Sequence, residues 1–74
     1  MEKIYLRRIG ANIRKYRLAK NLKQEYVGKK VALDKSEISR IENGKINIGI
    51  ITLFKIAEVL EVTVSILFEM SSQI

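Results

Sequence analysis

Residues 24–43 read QEYVGKKVALDKSEISRIEN, and this stretch decides the fold. Val27 and Val31 are spaced i, i+4, and Ile38 and Ile41 are spaced i, i+3, with Leu33 between the pairs. Each half therefore carries one apolar stripe at helical period. Gly28 is small in the middle of the first half, where a steeply crossing second helix needs close backbone approach. The second helix has a specified start. Asp34 can accept from the free first-turn amides, and Glu37, three residues on, can reach back to the Asp34 amide as a capping box. Asn43-Gly44 ends it, because glycine enters the left-handed region without a Cβ clash. The spacing thus predicts helices over 24–31 and 35–43 joined by a tight turn. The second buries Ile38 and Ile41 and turns Lys35, Ser36, Ser39 and Arg40 outward. Side chains of these types can reach base edges in a groove of duplex DNA.

Outward from this pair, the pattern predicts three further helices and an all-α fold. A first helix over about 4–20 places Leu6, Ile9, Ile13 and Tyr16 on one face. Residues 45–49 form a loop, and Gly49 caps a fourth helix over 50–60 that buries Leu53, Ile56, Ala57 and Leu60. Thr63 caps a short fifth helix over 64–69 that buries Leu67, and 70–74 is a frayed tail. The VTVSILF stretch alternates only briefly, so no strand is expected. With no proline, no low-complexity tract and no internal repeat, residues 1–74 read as one domain.

Charge is unevenly spread. The net +6 divides into +8 over residues 1–45, from 13 Lys/Arg and 5 Asp/Glu, and −2 over residues 46–74. The basic half is the half that holds the paired helices, which implies a polyanion partner rather than a merely solvated surface. The chain has no cysteine and no histidine, so it lacks disulfides and the usual zinc ligands, and no cofactor is expected. No apolar run reaches the length of a membrane span and no signal-peptide arrangement opens the chain, so a cytoplasmic protein is expected.

Five pieces in order carry a family resemblance: IGANIRKYR at 9–17, Gln24-Glu25, EISRIENGK at 37–45, TLFKIAEVL at 52–60 and SILF at 65–68. The chain resembles the Cro/XRE, phage-repressor type of helix-turn-helix protein. The resemblance implies a compact five-helix, lambda-repressor-like DNA-binding domain, with the helix-turn-helix unit at 24–43. Three positions depart from the pattern. Ala32 stands where the turn normally has glycine, a left-handed position that costs a residue with a Cβ roughly 1 kcal/mol or more. Asn21 replaces glycine at the end of the first helix, which asparagine tolerates. Lys23 replaces the Ser or Thr cap before Gln24, at a cost of about 1 kcal/mol.

A helix entering the major groove N-terminus first presents its first, second and sixth residues to base edges. Here these are Lys35, Ser36 and Arg40, with Ser39 a weaker candidate. Arg and Lys pair best with guanine O6 and N7, whereas a serine hydroxyl can donate or accept and specifies little. The competing reading confines Lys35 and Arg40 to phosphates or solvent. Glu37 could accept from cytosine N4, but the capping box already uses its side chain. By the resemblance, Gln24 meets a phosphate and braces the recognition helix, and Asn43, Lys45 and Asn47 contact the DNA backbone. The resemblance also implies an ion pair between Arg17 and Glu42.

The C-terminal half holds more apolar residues than one small core absorbs. Ile51, Phe54, Val64, Ile66, Phe68 and Met70 are expected to form a homodimer interface on helices at 50–69. A two-fold dimer sets its recognition helices roughly 34 Å apart and favours a near-palindromic operator in double-stranded DNA. Catalysis lacks support: there is no histidine, no cysteine nucleophile, no Gly-rich phosphate loop and no GxSxG, and no small-molecule substrate is evident. The reading is a dimeric, autoregulating transcription regulator, with the LFE ending at 67–69 resembling controller proteins of restriction-modification systems and small phage-type repressors alike. A second reading is an antitoxin or other protein-interaction module whose apolar patch covers a different chain. A third, a basic amphipathic protein on a membrane surface, fails because the first helix is interrupted by Gly10 and its apolar face is needed in the core.

Overall fold

The computed structural model describes residues 2–69, and five α-helices span them. They are α1 (Glu2–Ala19), α2 (Gln24–Val31), α3 (Lys35–Glu42), α4 (Ile50–Leu60) and α5 (Val64–Leu67). Met70 and the expected tail at 70–74 lie outside the described residues.

Four expected ends shift, in three helices. α1 begins at Glu2 and stops at Ala19, because the Lys20 amide is shared between the Tyr16 and Arg17 carbonyls and Asn21 turns left-handed at φ 58. α3 stops at Glu42 because Asn43 leaves the helical region, with Gly44 taking φ 69. α5 is one turn rather than 64–69: the Phe68 and Glu69 amides reach the Ser65 and Ile66 carbonyls, three residues back, so the chain tightens instead of continuing an α-helix.

The first four helices end in the same way. Asn21, Ala32, Gly44 and Glu61 are left-handed, and the next residue's amide reaches back five positions: Leu22 to Arg17, Leu33 to Gly28, Lys45 to Arg40 and Val62 to Ala57. This closure pairs carbonyls that a helix end otherwise leaves open. In three of the four it turns an apolar residue inward, since Leu22, Leu33 and Val62 pack against the core. Only one of the four left-handed residues is glycine, so Ala32 does carry the strained turn expected of it. Glu61 was not anticipated there; its carboxylate accepts from Lys20 Nζ at 2.7 Å and ties the ends of α1 and α4 together. That ammonium holds the Glu61 carboxyl below its ordinary pKa.

α3 packs against both α1 and α2, and α4 and α5 close the other side against α1. The buried core draws Ile9 and Ile13 from α1, Val27 and Val31 from α2, and Ile38 and Ile41 from α3. Leu53, Ile56, Ala57 and Leu60 of α4 and Leu67 of α5 complete it, as the spacing predicted. Leu6 and Tyr16 are only half-buried. Ile46 and Ile48 pin the 45–49 loop to the core. Two close approaches depend on glycine. A Cβ on Gly10 would lie 2.3 Å from the Ile41 carbonyl oxygen, so α1 and α3 touch backbone to backbone at this point. At Gly28 the nearest atom is the Leu33 carbonyl oxygen, 2.4 Å away, with the Ile38 side chain at 3.3 Å. The space at Gly28 thus serves chiefly the turn folding back over α2, and only secondarily the crossing of α3.

Two buried polar groups tie distant parts together. Asn12, on the inner face of α1, donates to the Leu67 carbonyl at 2.8 Å and the Glu69 carbonyl at 2.9 Å, capping the end of α5. Arg17 and Glu42 form the expected pair between α1 and α3. Arg17 Nε donates to Oε2 at 2.6 Å, Nη2 donates to Oε1 at 3.0 Å, and Nη1 donates to the Leu22 carbonyl at 2.8 Å.

Candidate nucleic-acid interface

The outer face of α3 begins at its cap. Asp34 Oδ1 accepts the Glu37 amide at 2.8 Å, and Glu37 Oε1 accepts the Asp34 amide at 3.1 Å, so the capping box closes in both directions. Glu37 is thereby committed to the helix end. Ser36 Oγ donates to the same Asp34 oxygen at 2.8 Å. The Glu37 amide, then the Ser36 hydroxyl, and the Arg40 cation at longer range hold the Asp34 carboxyl below its ordinary pKa. The charge itself sits at the positive end of the helix dipole.

From that cap the helix turns Lys35, Ser36 and Arg40 to solvent, with Ser39 half-exposed between them. With Gln24 they line one shallow surface, so the four expected base-contacting residues and one expected phosphate contact share a face. Gln24 is held there from behind: its Nε2 donates to Glu42 Oε1 at 3.0 Å, on the same oxygen that receives Arg17 Nη2. The buried ion pair therefore fixes α1 to α3 and also orients the first residue of α2.

Asn43, Lys45 and Asn47 follow α3 and are all exposed. Asn43 Nδ2 turns back to the Ser39 carbonyl at 2.9 Å. Two cations not expected at this face, Arg14 and Lys23, line the adjoining concavity together with Gln24, Lys35 and Asn43. Arg14 precedes Arg17 by three positions on α1, and that spacing was the available signal. Lys23 occupies the N-cap of α2 and supplies no side-chain cap, as its residue type implied. Lys29 and Lys30 are both exposed on α2; Lys29 lines a neighbouring concavity with Lys23 and Lys35, whereas Lys30 Nζ lies 5.4 Å from the Tyr26 ring centre.

The expected dimer residues fall into two places. Ile51 and Phe54 are 65% and 55% exposed and flank a groove that Val62 and Val64 floor. Ile50 beside them is exposed as well. Ile66 and Val64 are half-buried. Phe68 is exposed but opens onto a different groove, against Tyr5, Arg8 and Ile9 of α1. Met70 lies outside the described residues. Among the described residues no helix is long and apolar enough to cross a membrane, and no three acidic side chains gather as metal ligands do.

Comparison with known proteins places this geometry in a family. The helix-turn-helix (HTH_3) family model matches residues 13–67. A control protein, C.MunI of Mycoplasma, is 40% identical over 62 residues, covering 82% of this chain and 84% of its own length. The crystal structure of the restriction-modification controller protein C.AhdI from Aeromonas hydrophila superposes with TM-score 0.83 at 30% identity, covering 89% of this chain and 96% of that one. A hypothetical transcription factor, NHTF from Neisseria, gives TM-score 0.83 at 26% identity, covering 93% of this chain and 79% of that one.

Proposed function

The chain belongs to the Cro/C1-type helix-turn-helix family of DNA-binding transcriptional regulators, and from that premise we propose that it is a dimeric controller that reads a near-palindromic operator and regulates its own gene. Its 74 residues act as a single domain, in the cytoplasm and without catalysis. Lys35, Ser36, Ser39 and Arg40 of α3 face the base edges. Gln24, Asn43, Lys45 and Asn47, joined by Arg14 and Lys23, grip the phosphates on either side.

The observation that carries the reading is the common face of Gln24, Lys35, Ser36, Ser39 and Arg40, set by two independent anchors. The capping box holds the start of α3, and the Arg17–Glu42–Gln24 cluster holds its far end to α1 and α2. A rigid, cation-bearing helix that projects from a basic half-domain suits a major groove. That the chain is similar both to a control protein and to a restriction-modification controller favours the controller subtype over the antitoxin alternative.

The dimer centres on the α4–α5 groove. Two exposed apolar side chains beside a floor of Val62 and Val64 form a patch that water solvates poorly and that a second copy can cover. Association through this half leaves the basic half of each copy free, with the two α3 helices about one DNA turn apart. Sedimentation of the free protein tests this. The chain is expected to run as a dimer at micromolar concentration and as a monomer after Phe54→Lys. A parent chain that stays monomeric at high micromolar concentration refutes the dimer.

A further inference from the structure

Ser36 stands at the second position of α3, exposed, and its only hydroxyl hydrogen is already committed. Oγ lies 2.8 Å from Asp34 Oδ1, the oxygen that also accepts the Glu37 amide. The Glu37 amide, the Ser36 hydroxyl and the Arg40 cation all favour the charged form of Asp34, whose pKa is lowered. An ionised carboxylate has no proton to give, so the serine must be the donor of this bond. A serine hydroxyl has one hydrogen and two lone pairs. With the hydrogen spent on Asp34, what Ser36 offers outward is acceptor only. Turning the hydroxyl to donate elsewhere would break a hydrogen bond to an ionised group, roughly twice as strong as a neutral one.

We infer that the Asp34–Ser36 hydrogen bond sets the polarity of base reading at the start of α3, so that Ser36 selects a base with an exocyclic amino group in the major groove, adenine N6 or cytosine N4. The inference rests on α3 entering the groove. Guanine and thymine place acceptors, O6 and O4, where adenine and cytosine place those amino groups, and an acceptor-only Ser36 opposes them. Serine by itself reads bases ambiguously; here its neighbour in the capping box removes the ambiguity. Lys35 and Arg40 are donors only and match guanine O6 and N7. The outer face of α3 therefore shows one acceptor, Ser36, between the donors Lys35 in its first turn and Arg40 in its last, and a half-site complementary to it joins guanine to an amino-bearing base.

Selection of binding sites from a randomised duplex library tests this, using the full chain, Ser36→Ala and Asp34→Gly. Glycine is tolerated at an N-cap but has no acceptor for Ser36. Circular dichroism confirms that each variant is folded. The parent is expected to prefer adenine or cytosine over guanine or thymine, at one position of each half-site, by about threefold to tenfold, the range of one neutral hydrogen bond. Ser36→Ala is expected to flatten that position and no other. Asp34→Gly is expected to admit guanine and thymine there, because the freed hydroxyl can then donate. The inference is overturned if Ser36→Ala alters no position, or if the position it alters favours guanine or thymine in the parent. Selection of no sequence by the parent would remove the groove reading itself, and this inference with it.

Discussion

Glu42→Gln probes what holds α3 in place. The carboxylate takes Arg17 Nε on one oxygen at 2.6 Å, and Arg17 Nη2 and Gln24 Nε2 on the other at 3.0 Å each. The Arg17 and Glu42 side chains are 8% and 2% exposed, so water cannot take over these bonds. Glutamine preserves the shape but replaces one acceptor by an NH2 group, which would confront N–H donors of the guanidinium or of Gln24. It also leaves the Arg17 cation buried without its counter-charge, at a cost of about 3–5 kcal/mol. At roughly 0.05–0.15 kcal/mol per residue, the whole domain is stable by only about 4–11 kcal/mol. The substitution thus removes about a quarter of that stability or more. With a urea slope of about 1 kcal/mol/M for so small a chain, the unfolding midpoint falls by about 3 M or more, or the chain is unfolded without denaturant. Urea titration followed by far-UV circular dichroism, at one fixed chain concentration, measures it. Arg17→Met with Glu42→Leu should regain most of the loss, because an apolar pair leaves no buried charge unpaired. A Glu42→Gln midpoint within about 0.5 M of the parent would refute the reasoning.

Two further outcomes follow from single positions. Ala32, at φ 61, is the strained residue of the turn between α2 and α3. Ala32→Gly should stabilise the chain by about 1 kcal/mol and raise the melting temperature by about 4–8 °C, whereas an unchanged melt would mean that the turn holds alanine without strain. Arg40 is exposed on the reading face, so Arg40→Ala should leave the melt unchanged while weakening specific binding by about 1–3 kcal/mol and flattening one guanine preference. Equal weakening on every duplex would reassign Arg40 to a phosphate.

The helix-turn-helix was legible because local rules agree there. Asp34 and Glu37 are three residues apart, and the capping box they imply forms. The pair at Arg17 and Glu42 came from resemblance alone, since nothing in local spacing joins residues 25 positions apart, and the structure buries both ends of it. What stayed hidden depends on contacts across the fold. Asn12 reads as an ordinary polar residue on α1, yet it caps α5 from 55 residues away. Gly10 looks like an interruption of a helix, whereas it is the point where α1 meets the backbone of α3. Phe68 shares a short apolar run with Ile66, but the tightened end of α5 sends it toward α1, away from the Ile51–Phe54 groove. On the reading face the residue types were visible, while the direction of the Ser36 hydroxyl was not, because it depends on where Asp34 puts its oxygen.

The central claim is that the α3 face distinguishes one DNA sequence from another. Fluorescence anisotropy at near-physiological salt tests it most directly, with the protein titrated onto the DNA upstream of its own gene and onto a shuffled duplex of equal length. The account predicts binding to the upstream DNA tighter by about a thousandfold or more, within the usual range for specific recognition. Equal, weak and salt-sensitive binding to both duplexes would contradict it, leaving the basic half a generic polyanion surface.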